Sequence, residues 1–147
     1  MPLAFRNLDT TPDDPVETWP LEAVITALER GGLAHRRRLA AAIRADPWGP
    51  VAHTVGEAVR VSRPYGVAPL METVITHARE AAAEDERAQI AREVRSLVGS
   101  SGLTAAEFAR RLGTSASRLS TYSSGRVIPS ATLMVRMRRV AGAADGR

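Results

Sequence analysis

The sequence has 147 residues, of which 44% are hydrophobic, 24% are charged and 4% are aromatic, with a net charge of +4. A core with so few aromatic residues is built from Ala, Leu, Val and Ile, which favours helices over a β-sandwich. The absence of cysteine excludes disulfide bonds and cysteine-ligated zinc. We find no apolar stretch of roughly 18–20 residues and no signal-peptide pattern, so we expect a cytoplasmic protein with no membrane partner.

Positive charge is concentrated near the C-terminus. Residues 1–34 contain two arginines and six acidic residues, and residues 35–88 are almost balanced. Residues 89–147 contain ten arginines and three acidic residues, which gives this segment a net charge of +7. Such a segment has the electrostatic footprint of a phosphate-binding surface.

The N-terminal part divides into an arm and a helical module. Residues 1–17 contain three prolines and three aspartates without helical periodicity, which predicts an acidic, disordered arm. Residues 18–85 predict a helical module for dimerisation or partner binding. Its first helix ends near Gly31, its second covers 34–45, and its third begins at Asp46-Pro47, where proline fits the first turn.

The fourth helix of this module has no clear end. It begins near Val67, and residues 79–88 lose the apolar stripe but contain no helix breaker. The pattern predicts either one helix from about 68 to 98 or a bend near Asp85, because helices of that length are unusual in globular proteins.

Residues 103–129 predict two short helices joined by a sharp turn at Gly113. Thr104 is a suitable N-cap for the first helix, and Ser115 for the second, at about 116–124. Glycine permits the positive φ that such a turn requires. This layout is typical of a helix-turn-helix, which places its second helix in the major groove of DNA.

The outward face of this second helix is small and rich in hydroxyl groups. Leu119 and Tyr122 face the core, and Arg118 carries a guanidinium suited to O6 and N7 of guanine. The candidates for reading bases are Ala116, Ser117, Arg118, Ser120 and Thr121. A solvated helix face is the alternative interpretation of these residues.

Residues 89–141 resemble the Xre/Cro–CI family of helix-turn-helix domains. The resemblance rests on Leu103-Thr104, Phe108-Ala109, Leu112-Gly113, the alternation Ser117/Leu119/Ser120/Tyr122, Gly125, and Pro129-Ser130. It implies a lambda-repressor-like five-helix domain at 86–141, followed by a flexible tail at 142–147. Together with the helical pattern of residues 18–98, this predicts an all-α protein in which a long helix joins the N-terminal module to that domain. The resemblance also implies a bacterial or phage-encoded protein.

Two positions depart from the family pattern. Ala105 replaces the usual phosphate-binding Gln, and Ser123 replaces a common Glu. We therefore expect phosphate contacts from helix N-termini and arginines. These candidates are Thr104, Ala105, Arg110, Arg111, Ser115 and Arg126.

The resemblance implies a regulator that binds double-stranded DNA, most simply a repressor acting as a homodimer. An alternative is an antitoxin or adaptor whose main partner is another protein, bound through residues 18–85. We expect no catalysis, cofactor or metal, because the three histidines lie far apart and no nucleophile elbow or phosphate-binding loop is present.

Overall fold

The computed structural model describes residues 2–145, and within them the chain forms seven α-helices and no strand. The predicted all-α class is confirmed. The helices are α1 (Leu21–Arg30), α2 (Leu33–Ala45), α3 (Pro50–Ser62), α4 (Val67–Ser101), α5 (Ala105–Leu112), α6 (Ala116–Ser123) and α7 (Ala131–Asp145). The chain divides into an N-terminal and a C-terminal unit between Ala82 and Ala83, within α4.

The core of the N-terminal unit is formed by α1, α2, α3 and the first half of α4. Helix α1 buries Ala23, Val24, Ala27 and Leu28, a spacing that places all four on one face. This face packs mainly against α3, where Val55 is fully buried. The small alanines let the two helices approach closely, while the larger aliphatic side chains fill the remaining space.

The prediction of a disordered arm at residues 1–17 is wrong for the described part of that segment. Leu3, Phe5 and Leu8 pack against the core of the N-terminal unit. The ring of Phe5 meets Trp19 edge to face, with 5.1 Å between ring centroids. These apolar contacts offset the entropy lost on ordering the segment.

Arg38 on α2 also contacts the N-terminal segment. Its guanidinium donates hydrogen bonds to the carbonyl oxygens of Pro12, at 2.5 Å, and Asp14, at 2.6 Å. It also lies over the Trp19 ring, 5.1 Å from the centroid. The segment is therefore ordered by side chains distant in sequence, which local composition does not reveal.

Helix α3 begins three residues later than predicted. Asp46 and Gly49 close a turn, with the Gly49 amide donating to the Asp46 carbonyl at 3.0 Å. Pro50, rather than Pro47, is the first helical residue. Both prolines satisfy the preference for proline at a helix start, and the sequence alone does not distinguish between them.

Helix α4 continues without interruption through Asp85, in agreement with the prediction of one helix from about 68 to 98. It contains no proline after Pro69, and a proline would be the usual cause of a break. Met71 and Ile75 belong to the core of the N-terminal unit, whereas Val94 belongs to that of the C-terminal unit.

The C-terminal unit consists of the second half of α4 with α5, α6 and α7. Within the described residues it therefore has four helical segments, one fewer than the resemblance implies. Phe108, Leu119 and Met137 are fully buried at its centre. Helix α7 extends to Asp145, so the tail predicted at 142–147 begins too early, and residues 146 and 147 lie outside the described part.

Candidate nucleic-acid interface

The turn between α5 and α6 is built on Gly113. This residue has φ = 81°, in the left-handed region that glycine adopts without strain. Its amide donates to the carbonyl of Arg110 at 3.1 Å, and the next amide, of Thr114, donates to Ala109 at 2.9 Å. Ala109 is fully buried. The predicted position and chemistry of the turn are confirmed.

Serine and threonine caps define the start of both helices. The Thr104 hydroxyl accepts a hydrogen bond from the amide of Glu107 at 3.2 Å, and the Ser115 hydroxyl accepts one from the amide of Arg118 at 3.1 Å. Each cap satisfies one of the amides that a helix N-terminus leaves without a partner. Both capping residues, like Ala105 at the start of α5, are exposed. The helix ends are therefore accessible to an anion.

Helix α6 has a buried face and a solvent-facing one. Leu119 and Tyr122 are buried and fix the helix to the core. Five residues were predicted to read bases. Thr121 is partly buried, and the other four are exposed: Ala116, Ser117, Arg118 and Ser120. The structure thus places all five away from the core. Their contact with bases remains a prediction.

The hydroxyl of Thr121 has only limited hydrogen-bonding capacity left for a ligand. Its hydroxyl donates to the carbonyl of Arg118 at 2.6 Å, within the same helix. The oxygen can still accept a hydrogen bond, so the side chain suits an amino group on a base edge better than an acceptor.

The arginines proposed to contact DNA differ in how closely an acidic side chain approaches them. Arg111 lies 3.3 Å from the carboxylate of Glu107, and Arg110 lies 3.9 Å from the same oxygen with 78% of its side chain exposed. Among the side chains of residues 2–143, no acidic group lies within 4.0 Å of Arg118 or Arg126. Arg110, Arg118 and Arg126 therefore offer the least compensated charge.

A family model described as a helix-turn-helix domain matches residues 89–147. The C-terminal part of this chain is a helix-turn-helix domain. Searches among curated proteins and among solved structures each gave no match. The narrower assignment to the Xre/Cro–CI family stays a prediction.

Two arginines of α4 whose role was not predicted from the sequence contact the C-terminal end of α6. Arg95 donates to the carbonyl of Ser123 at 2.5 Å, and Arg87 donates to that of Gly125 at 3.5 Å. Cations near a helix C-terminus satisfy its free carbonyls and interact favourably with its dipole. Both arginines come from α4 and help to fix the orientation of α6.

Helix α7 of the domain is held by an ion pair. Arg138 donates to Glu93 on α4, with nitrogen–oxygen distances of 2.9 and 2.7 Å. This contact removes one acidic and one basic side chain from the free surface charge. Among the described residues no helix combines the length and apolar character needed to span a membrane.

Proposed function

We propose that this protein is a transcriptional regulator that binds specific sequences in double-stranded DNA through α6. The observation that carries the proposal is the face of α6, where Arg118 lies between small hydroxyl-bearing residues and has no acidic partner among the described side chains. Such a face can approach base edges closely, and Arg118 is its only long side chain. The protein acts by binding, without a cofactor or a catalytic step.

In this mechanism phosphate contacts position the domain and base contacts give specificity. The N-termini of α5 and α6, at Ala105 and Ser115, donate free amides to phosphate oxygens. Arg110 and Arg126 add charge-assisted contacts to the backbone. Arg118 reads guanine in the major groove through two parallel hydrogen bonds.

We further propose that the protein is a repressor that binds as a homodimer. One recognition helix contacts only a few base pairs, so a single domain binds weakly. Two copies on half-sites about one helical turn apart multiply both affinity and specificity, and the bound dimer excludes polymerase from a promoter. Exposed apolar side chains at Val127, Ile128 and Val135 are available for contact between two such domains.

Selection of duplexes from a random DNA library by the full-length protein tests this function. We expect a short two-fold symmetric consensus, and footprinting should show protection of the same sequence upstream of the protein's own gene. Sedimentation with the selected duplex should give two protein chains per site. Failure to enrich any sequence would contradict a sequence-specific regulator.

A second candidate function is that of an antitoxin or adaptor that uses DNA binding only for autoregulation. The N-terminal unit favours it, because several large apolar side chains there are exposed: Leu33, Trp48, Val61, Tyr65 and Leu70. Purification from the native source distinguishes the two. A stoichiometric protein partner whose activity is neutralised by this chain supports the second function, and a homodimer alone supports the first.

A further inference from the structure

A groove of about 270 Å³ lies between α2 and α4 in the N-terminal unit. Its floor is apolar and buried, formed by Ala40 and Met71. At its edges stand Leu33, which is 56% exposed, and Leu70, which is 48% exposed, with Val74 partly buried beside them. Large aliphatic side chains left in water beside a buried apolar floor are characteristic of a binding surface.

Arginines line the α2 side of this groove. Arg36, Arg37 and Arg44 share one face of the helix with Leu33 and Ala40, as their spacing of three, four, seven and eleven residues from Leu33 requires. Within residues 2–143 no acidic side chain comes within 4.0 Å of any of the three guanidinium groups. Arg36 is partly buried and donates to the carbonyl of Gly31 at 3.4 Å, whereas Arg37 and Arg44 are exposed. The groove therefore combines an apolar floor with a positive edge formed mainly by Arg37 and Arg44.

We infer that this groove binds an acidic amphipathic helix of another protein. The apolar residues of that helix would cover the floor, and carboxylates beside them would pair with Arg37 and Arg44. The distance along α2 from Leu33 to Arg44 is about 16 Å, or three turns of helix. This length fits a partner helix that inserts side chains at positions i, i+3, i+4 and i+7.

The charge pattern argues against two other occupants. A second copy of this chain would have to supply carboxylates next to large apolar side chains. Its acidic segment at 79–88 has only alanine as an apolar residue, and Leu8 and Val16 in the acidic N-terminal segment already pack against the core. Glu57 and Glu72 lie near exposed apolar residues, but each is already paired with an arginine of the same chain. DNA would neutralise the arginines but would leave Leu33 and Leu70 without an apolar partner.

The inference can be tested with a synthetic helical peptide and the full-length protein. The peptide has about 16 residues, with leucine along one face and glutamate on both sides of that face. Fluorescence anisotropy gives its affinity, compared with a peptide in which lysine replaces glutamate and one in which serine replaces leucine. We expect the acidic, leucine-bearing peptide to bind at least about tenfold more tightly than either, and more weakly in high salt.

Variants of the protein locate the binding site. The double variant Arg37→Glu, Arg44→Glu should weaken binding of the acidic peptide by about tenfold or more, whereas Arg6→Glu, an exposed arginine of the same unit outside the groove, should not. Leu70→Ser should weaken it as well, whereas Val61→Ser, which removes an exposed apolar side chain from α3, should not. Circular dichroism should show that all variants remain folded.

Four results would overturn the inference. The acidic peptide could bind no better than its lysine counterpart, or bind the groove variants as well as the unchanged protein. The double arginine variant could lose DNA affinity instead, which would make this edge a DNA contact. Leu70→Ser could abolish self-association in sedimentation experiments, which would make the groove an interface between two copies of this chain.

Discussion

Gly113 shows how a single residue permits the helix-turn-helix geometry. Its φ is +81°, and a Cβ built at this position would have no neighbouring atom within 4 Å. A side chain here would therefore meet no steric obstacle in the fold, and its cost would lie in the backbone alone. The left-handed conformation costs an L-residue about 1–2 kcal/mol.

We expect Gly113→Ala to lower the free energy of unfolding by about 1 kcal/mol or more, because alanine must adopt that positive φ. Gly99→Ala is the matched control, since Gly99 lies inside α4 with open space around it. Alanine there should be neutral or stabilising by up to about 1 kcal/mol. Urea denaturation followed by circular dichroism measures both changes, and equal effects would refute this account of the turn.

Arg118 is the residue on which base specificity should depend most. Arg118→Ala should reduce discrimination between the selected duplex and one with a changed guanine by about 1–3 kcal/mol. Arg126→Ala should instead weaken binding to both duplexes equally, because a phosphate contact carries no sequence information. Competition binding measures the two effects. Unchanged discrimination in the Arg118 variant would exclude it as a base-reading residue.

At the level of elements, two serines at the start of α6 have different predicted roles, one in the stability of the helix and the other in DNA recognition. Ser115 accepts a hydrogen bond from the Arg118 amide, whereas Ser117 lies exposed within the first turn of α6 and makes no such bond. Ser115→Ala should therefore cost about 1 kcal/mol of stability, and Ser117→Ala should leave stability unchanged while weakening DNA binding. Thermal unfolding and DNA titration of both variants test this, and a stability loss at Ser117 would contradict it.

Helices were predictable from sequence where the evidence for them was local. The apolar periodicity of α1, the capping residues of α5 and α6, and the lack of a breaker in α4 all lie within one or two turns. The start of α3 was misplaced because Asp46-Pro47 and Gly49-Pro50 carry the same local signal. The role of Arg95 escaped prediction since its acceptor, the carbonyl of Ser123, lies far away in the chain.

The N-terminal segment was mispredicted for the same reason, and its order depends on a contact that can be removed. Arg38→Ala should eliminate two hydrogen bonds to that segment and the stacking on Trp19. Each hydrogen bond from a charged donor contributes up to about 3 kcal/mol to the free energy of unfolding. Without these two bonds we expect the segment to open locally. Limited proteolysis should then cut it faster than in Arg37→Ala, whose side chain does not hold the segment. Equal rates of cleavage would show that Phe5 and its apolar neighbours suffice.

On the scale of the whole molecule, the two units carry different surfaces. The C-terminal unit combines the net positive charge of residues 89–147 with a small, polar recognition helix. The N-terminal unit is nearly balanced in charge but exposes large apolar side chains, including Leu33 and Leu70. A surface of the first kind suits a polyanion, and one of the second kind suits a protein. This difference between the two surfaces supports DNA binding by the C-terminal unit and protein binding by the N-terminal unit.

Salt dependence provides a test of that division. Binding to DNA releases counterions, so the logarithm of the association constant should fall with the logarithm of salt concentration, by about 0.9 for each phosphate contacted. Arg110→Ala should reduce this slope by about one unit, since its largely exposed guanidinium is only weakly paired with Glu107. Arg6→Ala, in the N-terminal unit, should leave the slope unchanged. A reduction at Arg6 equal to that at Arg110 would mean that DNA contacts extend to the N-terminal unit, and the assignment of polyanion binding to the C-terminal unit alone would be wrong.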